Sequence, residues 1–493
     1  MTQAWTHFTQ WCATLSDIGS AAALLGWDRE TGMPPGGARA RGAQLGTLAA
    51  LHHRELVRPD MAGVLDELGA DGGLDAARRR QVELITRDRH RAERVPETLV
   101  RAISEATSRS VTVWLEARPR ADFAEFQPAL TEVVRLKREL AECLSDGTGE
   151  HYDALLDMFE PGATAARLEP VFRDLGSRLT PLVAAGSARP AVGLPTVEWP
   201  ADAQMALAHD VARLVGYDLR RGAITVSAHP FTSTAGMGDI RFTTRLDDAS
   251  PVSNISSVLH EAGHAMYEQG FPDEFGRTPL FDAPSMGAHE SQSRFWENHV
   301  GRLRAFWERI DPLLRMRFPA AMTSVTPDQL HAVGTTVRPS LIRVEADEVT
   351  YNLHITLRFE LELALIRGDL EVAGLPSAWN RRIRELLDVT PPDDGVGVMQ
   401  DIHWPEGLFG YFPTYTLGNL YAAQLAEAAD AHLGGLPQAV ADGRFEEILG
   451  FMRDRVHRHG NLVPTDELML RATGSELNAD ALIRHLSVVS SGG

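Results

Sequence analysis

Along the first 220 residues, apolar side chains recur every three or four positions, as from Leu130 to Leu144, with breaks at Pro34-Pro35, Gly72-Gly73 and Pro161-Gly162. That spacing predicts a succession of amphipathic helices. From Ala184 to Thr196 the period is lost in a Pro-, Gly- and Ala-rich stretch, AAGSARPAVGLPT, which predicts a connection. It sets a soft boundary near 184–196 between an N-terminal helical half and a C-terminal half of one domain covering 1–493. Beyond it the period shortens to two in GAITVSAHPF (Gly222 to Phe231) and DIRFTTRL (Asp239 to Leu246), which read as the chain's strands, separated by a flexible STAGMG. Helical spacing resumes at Pro251, with loops expected at Gly270 to Pro284 and across Pro391 to Pro413. The expected fold class is therefore mainly α, with a small, mostly antiparallel sheet and a deep groove between helical halves.

Composition narrows the function classes. The 48 basic and 67 acidic residues leave a net charge of −19, the wrong sign for a phosphate-backbone binder, so no nucleic-acid partner is expected. The apolar stretch Ser20 to Trp27 lies between Asp17 and Asp28, far short of the roughly 18 uncharged residues of a membrane span. No membrane association is expected. Two cysteines, Cys12 and Cys143, suit a reducing compartment, and the chain reads as cytoplasmic.

The sharpest chemical feature is HEAGH, His260 to His264, within NISSVLHEAGHAMYEQ, which has Ser253 or Asn254 as candidate N-cap and Gly270 just past its end. Histidines four apart share one helix face and can converge on one zinc ion, while Glu261 stands beside it as general base. A zinc hydrolase needs a third protein ligand, and Glu290 in SMGAHESQSRFWEN supplies it from a second predicted helix. Gly263 costs about 1 kcal/mol inside a helix and predicts a close approach there. After Glu290, positions three and four residues on hold Ser293 and Arg294 rather than an acid that could orient a ligand histidine. Glu345, Asp347 and Glu348 are the candidates for that task.

These residues resemble the carboxypeptidase Taq family of zinc metallocarboxypeptidases, and the resemblance spans nearly the whole chain. It is carried by LLGWDRETGMPPGGARARGAQL (Leu24 to Leu45), HPF (His229 to Phe231), DIRFT (Asp239 to Thr243), HEAGH and HESQS (His289 to Ser293). VRPSLIRVEADEVTYNLH (Val337 to His354) and GVMQDIHWPEGLFGYFPTYTLGN (Gly397 to Asn419) extend it. The resemblance implies a helical zincin-type metallopeptidase that releases the C-terminal residue of peptides with broad preference, binds one zinc per chain, tolerates cobalt and forms a homodimer.

A terminal carboxylate calls for an arginine fork, and Arg343 and Arg241 are the candidates. Arg343 has a competing partner in Asp347 four residues on, and Arg241 reads equally as a strand-face arginine. DIRFTTRL is expected as the edge strand beside the metal helix, open to an extended peptide, with His229 either lining the cleft or capping the turn before Pro230. The glycines between Gly395 and Asn419 read as a mobile, shaped loop. Within it His403 or Tyr415 stands as donor to a developing oxyanion, by analogy with gluzincin peptidases of the angiotensin-converting and thimet type. Two competing readings are an oligopeptidase with the same metal machinery and a non-catalytic helical binding protein.

Overall fold

A computed structural model describes residues 3–190 and 192–492 of this predominantly helical chain. Two large clusters of buried apolar side chains organise it, and a third holds only Leu84, Phe275 and Leu280. The smaller of the two joins Trp5, Phe8 and Trp11 of the first helix (Gln3–Thr31) to Met61, Leu65, Val82 and Ile85. The larger runs from Leu99 to Val489 and holds the sheet and the helices described below. Helix Ala165–Ser187 continues through the first residues of the 184–196 stretch, and Val183 and Trp199, on its two sides, both belong to the larger cluster.

The sheet is mixed rather than mostly antiparallel. Its strands, β1 (Ile224–Val226), β2 (Thr232–Thr234) and β3 (Ile240–Thr244), lie in the order β1-β3-β2, with β1 parallel and β2 antiparallel to β3. The segment expected to be a flexible separator contributes Ser233 and Thr234 to β2; the turn itself is made at Gly236 and Gly238, both at positive φ. β3 is thus the central strand, not an edge. Paired on both sides, it buries Ile240, Phe242, Thr243 and Thr244, and β2 becomes an edge beside the HEAGH helix.

That helix spans Pro251–Gln269, ending at Gly270 as expected, but it is capped by Ser250, whose side chain accepts from Val252 N, rather than by Ser253 or Asn254. Pro251 at the first helical position explains the earlier start, because its fixed φ and missing N–H suit that site. Helix Met286–Arg294 is capped by Ser285 and passes without a break into a π-helical turn, Phe295–Val300. Two further helices, Glu348–Arg367 and Phe412–Leu433, complete the surroundings of the site. The latter overturns part of the loop expectation: residues 412–419 are helical, and the segment before them is packed, with Val398, Met399, His403, Trp404 and Phe409 buried. Its glycines serve close contacts. Gly410, at φ +87°, lies so near the Leu155–Leu156 backbone that a Cβ would stand 2.7 Å from the Leu155 carbonyl carbon.

Gly263 has the role its cost implied. A Cβ there would lie 2.5 Å from Gln292 O and 2.7 Å from Ser293 Cα, so it is where the HEAGH helix meets the Met286–Arg294 backbone. Gly263→Ala should therefore destabilise the protein by about 1–3 kcal/mol, since backbone cannot swing aside as a side-chain tip would. Equilibrium denaturation checks this, and an unchanged midpoint would mean that the two helices part freely.

Candidate metal centre and peptide-binding site

His260 and His264 lie one turn apart, and their Nε2 atoms stand 3.7 and 3.3 Å from Glu290 Oε2. Donors about 2.0–2.2 Å from one tetrahedral ion are about 3.3–3.6 Å from each other, so the separations fit a site with three protein ligands and an open fourth position. Among the described residues, these three form the one group of His, Cys, Asp or Glu side chains gathered closely enough to hold a metal, within 4.8 Å of one another. Two glycines permit it. Gly263 lets the two ligand helices touch, and Gly418 of helix Phe412–Leu433 sits beneath Glu290, where a Cβ would lie 2.4 Å from its Cγ.

Each ligand is held by a further group. His260 Nδ1 is 2.8 Å from Glu297 Oε2, so an Nδ1–H donates there and Nε2 keeps its lone pair for a metal. His264 Nδ1 is 2.5 Å from His289 Nδ1, and His289 Nε2 is 2.9 Å from Glu268 Oε1, a relay that leaves His264 Nε2 equally free. Arg294 donates to Glu290 Oε1 at 2.6 Å and to Glu297 Oε2 at 3.2 Å. Burial would raise both carboxyls, but the Arg294 charge, helped by the histidine contacts, outweighs it, bringing Glu297 down to about 2 and holding Glu290 well below the usual range. Glu261 differs: burial dominates and raises its pKa, while the Thr232 hydroxyl of β2 donates to its Oε2 at 2.7 Å. A buried carboxylate with a raised pKa and a single neutral donor is suited to taking up a proton.

A second cluster lies on the next helices. Arg343 is buried, donating through Nε to Asp401 at 2.9 Å and through Nη1 to the Tyr351 hydroxyl at 3.1 Å. Its guanidinium lies 5.1 Å from the Tyr415 ring centre, and its Nη2 has no hydrogen-bond partner among the described residues. His403 Nε2 is 3.1 Å from the Tyr415 hydroxyl. Burial, then the Arg343 charge, pushes His403 down to about 3, so its imidazole is neutral at ordinary pH. Burial raises Tyr415 well above the usual phenol range, so it keeps its proton. Tyr415 lies one turn before Gly418, which brings the phenol and the Glu290 carboxylate close enough for the acid to contribute to that shift.

The profile of the family described as carboxypeptidase Taq (M32) metallopeptidase matches residues 7–488. The chain belongs to this family. It is 42% identical over 489 residues to thermostable carboxypeptidase 1 of Thermus thermophilus, covering 95% of this chain and 94% of the relative. Carboxypeptidase 1 of Bacillus subtilis is 35% identical over 478 residues, covering 96% and 95%. The crystal structure of an M32 carboxypeptidase from Deinococcus radiodurans superposes with a TM-score of 0.97 at 37% identity over the whole of both chains. A Pyrococcus furiosus carboxypeptidase structure gives 0.95 at 34% identity, covering 99% of this chain and 98% of that one. The chain is a metallocarboxypeptidase, and membership of an M32 metallopeptidase family implies a divalent metal. None of the described helices is long and apolar enough to cross a membrane.

In this M32 enzyme the structure gathers His260, Glu261, His264 and Glu290 at one point, and Arg343, His403 and Tyr415 at another beside it. It does not bring Arg241 or His229 into either group. Arg241 forms a two-point pair with Asp239, at 2.6 and 2.7 Å, over the Trp27 ring. His229 is exposed on the bend after β1. Arg343 pairs with Asp401 rather than with Asp347, which caps helix Glu348–Arg367. The acids considered for orienting a ligand lie elsewhere too: Glu345 is exposed and Glu348 faces His485 at 3.1 Å. Glu297 occupies that place instead, with His289 and Glu268 behind His264. Glu297 falls seven residues after Glu290, a helical same-face interval that a search at three and four residues passes over.

Glu297→Gln should weaken metal binding about 10–100-fold, whereas Glu345→Gln should leave it unchanged. Competition against a chelator of known affinity measures both, and equal affinities in the two variants would contradict this assignment.

Proposed function

We propose that this metallocarboxypeptidase releases single residues from the free C-terminus of peptides, with His260, His264 and Glu290 holding a zinc ion. The observation that carries the reading is a buried arginine with an unused Nη2, fixed by Asp401 beside the Tyr415–His403 pair, of which Tyr415 lies one helical turn before Gly418, the floor of the metal cluster. When bound, the ion supplies a Lewis acid that polarises the scissile carbonyl and acidifies water. Glu261 takes the proton of the attacking water and passes it to the leaving amine. The donation from Thr232 keeps its carboxylate turned toward the cluster. Tyr415 offers its phenol proton where oxyanion charge develops, while neutral His403, donating through Nε2–H, keeps that proton turned outward. Arg343 binds the carboxylate of the departing residue by a charge-assisted hydrogen bond.

Zinc is supported by the two-histidine, one-carboxylate donor set, with cobalt as an accepted substitute. Residence in the cytoplasm is supported by two unpaired cysteines, and a homodimer by the family resemblance. The same resemblance supports substrate-binding roles for Arg241, as a second carboxylate partner, and for His229, lining the cleft.

Product masses test the reading. A short peptide with a free C-terminus should lose one residue at a time, its C-terminal amide should be cut at least about 100-fold more slowly, and chelation should stop both. Equal attack on the amide, or internal cuts, would make the enzyme an oligopeptidase. Glu261→Gln should keep full metal occupancy and lose about 100-fold or more in kcat; near-normal turnover with stoichiometric metal would remove Glu261 as the base.

A further inference from the structure

Glu362 lies wholly buried near the end of helix Glu348–Arg367, away from the metal cluster, and its carboxylate accepts three hydrogen bonds. Trp404 Nε1 donates to Oε1 at 2.9 Å, and the Tyr152 hydroxyl and Gly410 N donate to Oε2 at 2.9 and 3.0 Å. Two of the three donors are immediate neighbours of residues that touch Tyr415: Trp404 follows His403, and Gly410 precedes Tyr411. His403 reaches the Tyr415 hydroxyl, and the Tyr411 ring lies 5.3 Å from that of Tyr415. The third donor, Tyr152, lies on helix His151–Leu156, against whose backbone Gly410 is pressed.

We propose that Glu362 is a positioning residue for the reaction: its carboxylate pins both ends of the 403–411 segment and so sets where His403 and Tyr411 stand relative to Tyr415. The number of acceptors matters as well as the shape. Three donors need three acceptor positions, and a carboxylate provides them on two oxygens. An amide in the same place has one oxygen. Turned toward Trp404, it leaves the Gly410 N–H facing an NH₂ group; turned the other way, it leaves the Trp404 N–H unpaired. Tyr152 can adapt by rotating its hydroxyl, but neither donor of the 403–411 segment can. Glu362→Gln therefore releases one end of the segment whichever way the amide turns. Among the described residues Glu362 has no salt-bridge partner; the guanidinium whose charge acts on it, Arg358 one turn earlier, is engaged by Asp401.

The inference rests on the reading that Tyr415 and His403 act at the reaction centre, so the test includes Tyr415→Phe. Metal-loaded, full-length enzyme is assayed on one peptide for kcat and KM, with metal content measured beside them. Glu362→Gln and Trp404→Phe should each lower kcat about 10–100-fold with KM changed less than about threefold and metal content unchanged, as for a displaced rather than absent group. Tyr152→Phe, which removes the donor outside the segment, should keep kcat within about threefold of the parent. Loss of thermal stability in Glu362→Gln with kcat intact would overturn the proposal, as would Tyr152→Phe losing as much kcat as Trp404→Phe. That last comparison decides even if Glu362→Gln does not fold. If Tyr415→Phe keeps its kcat, the reading of the reaction centre fails; if it loses kcat while Glu362→Gln and Trp404→Phe do not, Glu362 has no positioning role.

Discussion

The site depends on two glycines that let helices come closer than any side chain would allow. At Gly263 the helix carrying both histidines rests on the backbone of the helix carrying Glu290, and at Gly418 a third helix rests on Glu290 itself. Interiors are packed too densely to absorb even a methyl group against backbone without displacement. The separation of the three donor atoms is thereby set by helix contact rather than by the metal, and Tyr415, one turn before Gly418, is carried into range by the same contact. The three candidate ligands and the Tyr415 phenol thus share one packing constraint.

Burial of so many charges is tolerated because they are paired in series. Arg294 bridges Glu290 and Glu297, Arg302 approaches Glu297 at 3.6 Å, and Glu297 in turn orients His260. Removing one member of such a set leaves a charge without compensation, at a typical cost of about 3–5 kcal/mol. Beside it, Asp401 sits between Arg343 and Arg358, so one carboxylate serves two buried guanidiniums. That arrangement leaves a net positive charge near Tyr415, which suits the carboxylate end of a peptide and adds to burial in keeping His403 neutral.

Much of this was legible in the chain. Periodicity identifies the helices, HEAGH and Glu290 name the side chains that the fold gathers closely enough to hold a metal, and the cost of Gly263 announces a contact. What escaped did so for physical reasons. β2 is only Thr-Ser-Thr running into a glycine turn, too short for alternation to register, and without it β3 looks like an edge. Glu297 lies within the segment that supplies Glu290, but on a π-helical turn. Asp401 partners Arg343 across 58 residues, a distance no local pattern spans. The glycines from 395 to 410 resemble the signature of mobility, yet Gly395 and Gly410 mark backbone pressed on backbone, which composition alone does not distinguish from a free loop.

Anomalous X-ray scattering from metal-loaded crystals tests the central claim most directly. The account predicts one peak per chain, about 2.0–2.2 Å from His260 Nε2, His264 Nε2 and a Glu290 oxygen, with Glu297 still on His260 Nδ1. A peak held instead by His289 and Glu268, or one that pulls the helices apart at Gly263, would contradict it.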